Sequence, residues 1–297
     1  MPHIEHRGSS NMYSTVALMS FSNGRRTGPG LMIEFLANLT PILLGSIVVS
    51  GFGYALSYFT NVAWWLPLLI LFVLSPLSLW RPFETMMISF LTNVHKAQGA
   101  DLAKIVGSLN RANLRHDFPN RRWILTVEES NHLNAATSGR HVITLTRTAL
   151  QLPEPLLDAV LAHELAHQAG GDTIVKAFRW WFLIPVQLIT KVLRISAWGA
   201  VAFSFLGILQ VVVAATLTVL LYGLTIPILA VVPLNAFVER RNELAADRYA
   251  ANAGFREELV MLLNGFERPQ TVSTSFWSRV TSTHPTIQTR LNALEEF

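Results

Sequence analysis

The sequence predicts a predominantly α-helical membrane protein that carries a smaller α+β domain outside the bilayer. Half of its 297 residues are hydrophobic and only 14% are charged, so a large share of the chain must face something other than water. Long uncharged runs lie on both sides of a more polar central stretch. In that stretch the hydrophobic residues first alternate and then recur at helical spacing, which predicts strands followed by a helix.

The first part of the chain is predicted to be a tail followed by two spans. Residues 1–30 are polar and rich in Ser, Gly and Arg, which predicts disorder. The uncharged runs Phe35–Phe59 and Val62–Trp80 are each long enough to cross a bilayer, so residues 31–80 are predicted to form a transmembrane hairpin. Neither run contains His or Asp, and their serines have no partner base. An intramembrane serine or aspartyl protease is therefore not favoured.

A second apolar region, residues 174–238, has the length of two further spans. The preferred division is Ile174–Ile195 and Ala202–Val232, which gives about four spans in all. The alternative makes the first piece an interfacial helix and divides Trp198–Val238 into a hairpin. Because the spans are nearly free of charged groups, they offer no path for an ion or a polar solute, and a transporter or channel is not favoured.

The charge pattern predicts which parts of the chain lie in the cytoplasm. Residues 81–122 carry seven Lys or Arg and three Asp or Glu, so the positive-inside rule places residues 81–173 and 239–297 on the cytosolic side. The basic residues flank apolar runs and form no patch with interleaved aromatic residues, so no nucleic-acid partner is expected. The absence of cysteine excludes a Cys nucleophile, a Cys-ligated metal and disulfides.

The central stretch predicts a helix and a small β-hairpin or sheet. Apolar residues recur at helical spacing over Met86–Leu109, while Trp123–Val127 and His141–Thr146 alternate and are predicted to be strands. Asn131–Arg140, which contains Ser138-Gly139, is predicted to be a connection. A strand beside the next helix could pair with an extended peptide through main-chain hydrogen bonds. A purely structural hairpin is an equal alternative.

The motif that carries chemistry is His163-Glu164-Leu165-Ala166-His167, an H-E-x-x-H sequence. It falls on a predicted helix that begins near Pro155 and ends at Gly170-Gly171. Residues four apart share a helix face, so both imidazoles can bind one metal ion while Glu164 lies beside it. A chance match on a solvent-facing helix is the alternative, but chance would not place the motif on a helix with a clear start and stop.

A third ligand is predicted on the helix that continues out of the last apolar region. Zinc bound by two histidines commonly takes a carboxylate as third ligand, for which Glu243 is the candidate. Asp247, one turn on, could accept a hydrogen bond from a ligand imidazole and fix its tautomer. The alternative is a solvated, charged helix with Glu–Arg pairs, and Glu239 is predicted to lie on such a solvated face.

Four motifs together resemble those of a known family. They are His163–His167 followed by Gly171-Asp172, Arg240-x-x-Glu243-x-x-Ala246-Asp247-x-x-Ala250, Thr283-His284-Pro285-x-x-x-x-Arg290, and Asn134-Ala135. With the order of the apolar runs, they make the chain similar to the HtpX-like integral-membrane zinc metallopeptidases, which are related to enzymes that process CaaX proteins. The resemblance implies a zincin-like α+β catalytic domain, one Zn2+ per chain and proteolysis facing the cytosol. It also implies clearance of misfolded or damaged membrane proteins, a stress response.

The resemblance further assigns roles to individual residues. His163, His167 and Glu243 would hold the zinc ion, with Glu164 as general base and Asp247 behind a ligand. His284 would stabilise the developing oxyanion, and Asn134, Ala135 and Arg290 would contact the substrate. The residues themselves leave two alternatives open. Thr283 could cap a helix with Pro285 in its first turn, and Arg290 could anchor that helix by a salt bridge.

The resulting expectation is a multi-pass inner-membrane protein whose partners are the lipid bilayer and protein or peptide substrates. Two alternatives remain, namely an inactive zinc-binding scaffold and a CaaX-type processing peptidase. A structural zinc site would not require a general base such as Glu164. A site buried inside a span is not favoured, because the H-E-x-x-H helix carries the charged residues Glu154, Asp158 and Asp172.

Overall fold

The structure is a computed structural model that describes residues 28–89, 93–119, 121–202, 207–265 and 282–296. The predicted tail therefore lies outside the described residues, except that Gly28–Gly30 already belong to the first helix, α1 (Gly28–Phe59). The described chain is mostly helical with one small mixed sheet, as the sequence predicts.

The segment after α1 is bent, unlike the straight second span that the sequence predicts. It consists of α2 (Leu66–Val73), a 3-10 helix (Ser75–Leu79) and α3 (Arg81–Ser89). The pieces Leu66–Leu79 and Arg81–Ile88 meet at 81°. Trp80, between the two pieces, has an extended backbone conformation (φ −83°, ψ 122°), which ends the first piece and turns the chain.

Two long helices complete the apolar part. They are α6 (Asp172–Ala202) and α7 (Ile208–Ala250). Among the described residues, Met32–Phe59 and Asp172–Gly199 are long and apolar enough to cross a membrane, and the bent segment after α1 would be a third. Four spans thus stay a prediction. Helix α7 continues without interruption from its apolar start into the charged residues around Glu243, as the sequence predicts.

The polar part contains a four-stranded sheet. Its strands are β1 (Val94–Lys96), β2 (Ile124–Glu128), β3 (Ala135–Ser138) and β4 (Val142–Thr146), in the order β1-β2-β4-β3. The two predicted strands are confirmed, but the hairpin is wrong because β2 and β4 are parallel. Parallel neighbours need a long crossover, and here the predicted connection supplies the edge strand β3, which pairs antiparallel with β4.

The remaining α-helices pack into one hydrophobic core with one face of the sheet. They are α4 (Gly99–Arg115), α5 (Glu154–Gly170), α8 (Arg256–Gly265) and α9 (Ile287–Glu295). Strand β1 interrupts the predicted Met86–Leu109 helix, which begins only at Gly99. Leu157, Leu161 and Leu165 of α5 are fully buried in the same cluster as Ile143 and Leu145 of β4. Burial of each such side chain contributes about 1.5–3 kcal/mol.

A smaller apolar cluster covers the opposite face of the sheet. Val142 and Ile124 point away from α5, since neighbouring residues of a strand alternate between faces. Ile88 of α3 packs against them. The bent segment therefore ends as a lid on the far side of the sheet, while α5 lies on the near side.

Candidate metal centre

The H-E-x-x-H motif lies in the middle of α5, and the packing of this helix fixes its direction. A proline occupies the first turn of α5, and Gly171 ends it in the left-handed conformation at φ 78°. Both ends agree with the prediction. His163, Glu164 and His167 are all buried, with at most 8% of each residue exposed. The buried leucines fix the rotation of the helix about its axis, and the three side chains of the motif therefore face the cavity.

Helix α7 packs across α5 and brings Glu243 to the histidines. Glu243 Oε1 lies 3.3 Å from His167 Nε2, and Glu243 Oε2 lies 3.6 Å from His163 Nε2. One ligand atom from each of the three residues lies within 4.8 Å of the other two. The structure therefore brings together the three residues that the sequence predicts as metal ligands.

The outer nitrogen of each histidine faces a carboxylate. His167 Nδ1 lies 3.1 Å from Asp172 Oδ2, and His163 Nδ1 lies 2.9 Å from Asp247 Oδ1. The second contact is close, but the N–H is not aligned with the oxygen as in a good hydrogen bond. Carboxylates in this position orient ligand imidazoles and leave Nε2 free for a metal. Sequence reasoning found Asp247 and gave no role to Asp172, whose return towards His167 depends on the left-handed turn at Gly171.

The electrostatics of this cluster suit a cation. Burial opposes the charged form of His163, but Asp247 and Glu243 outweigh it and raise the pKa of His163 to about 10. Burial also opposes the charged form of Glu243, yet the neighbouring histidines hold the pKa of its carboxyl far below the usual range. The proton that His163 holds in this way is released when a metal ion binds the same nitrogen, whereas Glu243 is already deprotonated.

Asp247 is fully buried and has a second partner, Arg290 of α9. Arg290 donates from Nε to Asp247 Oδ2 at 2.7 Å and from Nη2 to Asp247 Oδ1 at 2.6 Å. This two-pronged geometry is the strongest form of an arginine–carboxylate pair. The salt bridge that the sequence left as an alternative is therefore present. Arg290 also lines the cavity in front of the metal ligands, so contact with substrate stays a prediction.

His284 lies at the mouth of the site. Its Nδ1 is 3.2 Å from Glu243 Oε2, and 69% of its side chain is exposed. Helix α9 begins only at Ile287, where Thr286 accepts a hydrogen bond from the Thr289 amide at 3.2 Å. The alternative in which Thr283 caps this helix is therefore wrong. His284 lies in a bend before α9, with its ring turned towards the ligands.

Strand β3 forms the wall of a cavity of about 340 Å³ in front of the presumed ligands. Asn134 and Ala135 line it, and their contact with substrate stays a prediction. Among the described residues no strand pairs with the outer edge of β3. Thr137, which sequence reasoning missed, donates its hydroxyl hydrogen to Glu164 Oε2 at 3.0 Å. The edge strand thus holds the carboxylate of the presumed base.

The prediction that Glu239 lies on a solvated helix face is wrong. Its carboxylate binds Lys176 and lies 2.8 Å from Arg179 Nη2, and only 12% of its side chain is exposed. Both cations come from α6, and the sequence of α7 alone does not show that α6 packs beside Glu239. Glu239 therefore ties the two long helices together close to the metal centre.

Comparison with known proteins decides the family. Residues 97–297 match the sequence profile of peptidase family M48. The chain belongs to peptidase family M48. The matched region contains both histidines, Glu243 and the segment around His284, so the M48 match covers every side of the site. It confirms the resemblance to HtpX-like membrane metallopeptidases, and M48 membership implies a metallopeptidase.

A solved structure supports the fold of this M48 peptidase. The chain is similar to the crystal structure of S. mikatae Ste24p, with a TM-score of 0.50 and 18% sequence identity. The match covers 95% of this chain and 66% of that one, so the chain spans just under two thirds of the length of Ste24p. At this identity the likeness concerns the fold alone. No curated protein matches the sequence.

The residues at the M48 site fit a zinc ion. Two imidazole nitrogens and one carboxylate converge, and this donor set is typical of catalytic zinc with a further position open. Their outer atoms face the carboxylates of Asp172 and Asp247, as is common behind zinc-bound histidines. Glu164 lies beside the set without belonging to it. A structural zinc site is normally closed by four protein ligands, whereas three are present here among the described residues.

Proposed function

We propose that this protein is a membrane-embedded zinc metalloendopeptidase that cleaves misfolded or damaged membrane proteins on the cytosolic side of the inner membrane. The observation that carries the proposal is the convergence of His163, His167 and Glu243 beside Glu164, next to the edge strand β3. The three ligand residues would hold one Zn2+ per chain. The substrates would be proteins or peptides, reached from the bilayer or the cytosol.

The chemistry divides between the ion and the side chains. A bound zinc ion would supply a Lewis acid that polarises the scissile carbonyl and acidifies a water molecule. Glu164 would accept the proton of that water and return it to the leaving amine. Thr137 holds the Glu164 carboxylate in place from the edge strand. General base catalysis of this kind contributes about 100- to 10,000-fold to the rate.

Three residues would act around the metal, one on the carbonyl oxygen and two on the ligand histidines. His284 is exposed at the cavity mouth, from which its ring can donate to the negative charge that develops on the carbonyl oxygen. Asp247 would keep His163 in the tautomer that presents Nε2 to the metal. Asp172 would do the same for His167.

Strand β3 supports the proposal of an endopeptidase with broad substrates. Its outer edge can pair with the main chain of an extended peptide, and main-chain pairing tolerates many sequences. A folded protein cannot supply such a segment, whereas a misfolded one can. The cytosolic orientation is supported by the seven positive and three negative charges of residues 81–122.

The experiment that tests this proposal uses the full chain in lipid nanodiscs. Zinc content is measured by mass spectrometry, and cleavage of an unfolded test protein is followed with and without a chelator. We expect about one zinc per chain, as the cluster of His163, His167 and Glu243 implies. We also expect cleavage at internal bonds that the chelator stops and added zinc restores. Zinc binding without cleavage of any unfolded protein would instead show an inactive scaffold.

A further inference from the structure

A second cavity, of about 480 Å³, lies on the face of the sheet opposite α5. It is enclosed by α3, by the far face of β3 and β4, and by the first turns of α6. Its lining is mainly apolar and includes Phe83, Met87, Val94, Val142, Ala177 and Trp180. The metal site uses none of these side chains. A cavity of this size and lining takes an apolar group as large as an aromatic or a long aliphatic side chain.

The one buried acid in this cavity is already satisfied. Glu84 accepts a hydrogen bond from the Arg140 amide at 2.6 Å and lies 2.7 Å from His141 Nδ1. Gly139, at φ 56°, lets the turn between β3 and β4 approach this carboxylate, since a Cβ atom there would collide with it. Because Glu84 is already paired with the turn between β3 and β4, it leaves no unpaired charge in the cavity that would favour a polar ligand.

The second cavity adjoins the metal site. Thr137 and Lys176 line both cavities. Thr137 is the residue whose hydroxyl contacts Glu164, so the second cavity begins at the edge strand directly beside the presumed base. A group that occupies it is therefore placed next to the peptide bond that would be cleaved. This position beside the presumed base favours part of the substrate over a separate ligand.

The alternation of a β-strand explains how one peptide would reach both cavities. A peptide paired with β3 as a fifth strand points successive side chains to opposite faces of the sheet. Side chains on the face of Thr137 enter the metal cavity beside α5. Those on the face of Ser138, which lines the second cavity, enter the space below the sheet. One side chain of the substrate then lies in each of the two cavities.

We infer that the second cavity is the specificity pocket of this peptidase and takes a bulky apolar side chain of the substrate. That side chain lies within about two residues of the scissile bond, because an extended strand rises about 3.3 Å per residue. This inference rests on the proposed function and adds a substrate class to it, namely extended segments rich in Phe, Leu or Met. Such segments are buried in folded proteins and exposed in misfolded membrane proteins. A pocket of this kind gives a preference of roughly 10- to 200-fold over a small side chain.

The first arm of the test measures binding without catalysis. A series of peptides carries benzoylphenylalanine at each successive position, and each peptide is irradiated with the Glu164→Gln protein in nanodiscs. We expect crosslinks to Met87 or Trp180 from one register, and crosslinks to the metal cavity from its neighbours. Crosslinks confined to the metal cavity at every position would overturn the inference. So would a benzophenone fatty acid that crosslinks to Met87 when no peptide does, because the occupant would then be lipid.

The second arm uses two neighbouring methionines of α3. Met87 lines the pocket, whereas Met86 lies outside its lining and is 46% exposed. Met87→Trp should lower kcat/KM for peptides with Phe or Leu at the preferred position by roughly 10- to 200-fold, and leave peptides with Ala there unchanged. Met86→Trp should change neither. Met87→Ala, which enlarges the pocket, should shift the preference towards larger side chains.

The two arms separate this inference from the proposed function. A wild-type protein that cleaves peptides equally well with Ala or Phe at every position would overturn the pocket and leave the peptidase standing. A protein that cleaves nothing but still crosslinks the peptide at Met87 would retain the pocket and remove the catalytic proposal.

Discussion

The pair between Arg290 and Asp247 allows a quantitative prediction. Asp247 is fully buried, and Arg290 has an 18% exposed side chain, so neither charge is well solvated. In Arg290→Met the carboxylate stays buried without its counter-ion. Loss of one partner from a buried pair costs about 3–5 kcal/mol. For a chain of this size that corresponds to a fall in Tm on the order of 10 °C, at about 2–4 °C per kcal/mol.

A double-mutant cycle separates the stability of this pair from its effect on the metal. Asp247→Asn removes the buried charge and the carboxylate behind His163, so zinc affinity should fall roughly 10- to 100-fold. The double variant Asp247→Asn/Arg290→Met should be more stable than the sum of the two single changes, because no unpaired buried charge remains. Its zinc affinity should stay as low as in Asp247→Asn. Thermal unfolding in the presence of a chelator, followed by intrinsic fluorescence, measures the stability. Titration with zinc against a competing dye measures the zinc affinity.

The control is Arg256→Met, which changes an exposed arginine whose side chain contacts the last turn of α9. It should leave both quantities nearly unchanged. The reasoning fails if Arg290→Met unfolds within one or two degrees of wild type. It also fails if the double variant is as unstable as the sum, since the two residues would then not be coupled.

Three further predictions concern catalysis, the third ligand and topology. Glu164→Gln should keep zinc and the fold but lose about 100- to 10,000-fold of proteolysis, and near wild-type cleavage would remove Glu164 from the mechanism. Glu243→Ala should lose zinc and activity, with Glu243→Asp intermediate because its carboxylate is shorter; the exposed Glu257→Ala is the control. Equal zinc affinity in both alanine variants would show that Glu243 is not a ligand. Cysteine introduced at the exposed Leu114 should be protected from an impermeant reagent outside intact cells, whereas cysteine at Asn61 should be labelled, and the reverse pattern would invert the proposed orientation.

The parts of the site that depend on local spacing could be predicted from the sequence. The H-E-x-x-H helix is one such part, because one turn of helix places His163 and His167 on the same face. Glu243 lies on another helix beyond a long apolar region, and no local rule connects it to the histidines. The resemblance supplied that connection, and the packing of α7 across α5 agrees with it.

The parts that depend on long-range packing could not be predicted. Strand β3 is only four residues long and consists of small and polar residues, so it lacks the apolar alternation that reveals a strand. β2 and β4 are parallel because β3 is inserted between them in the chain. No residue near β3 in the sequence predicts this insertion. Glu239 looked solvated because its two cationic partners are contributed by α6.

The order of the contributors along the chain has a consequence for timing. Asp247 and its counter-ion Arg290 are 43 residues apart, and α9 joins the site after α5 and α7 have been made. A nascent chain that has emerged only as far as α8 already contains His163, His167 and Glu243 but still lacks the cation that neutralises Asp247. The buried pair between Asp247 and Arg290 can therefore form only after α9 has been added to the chain.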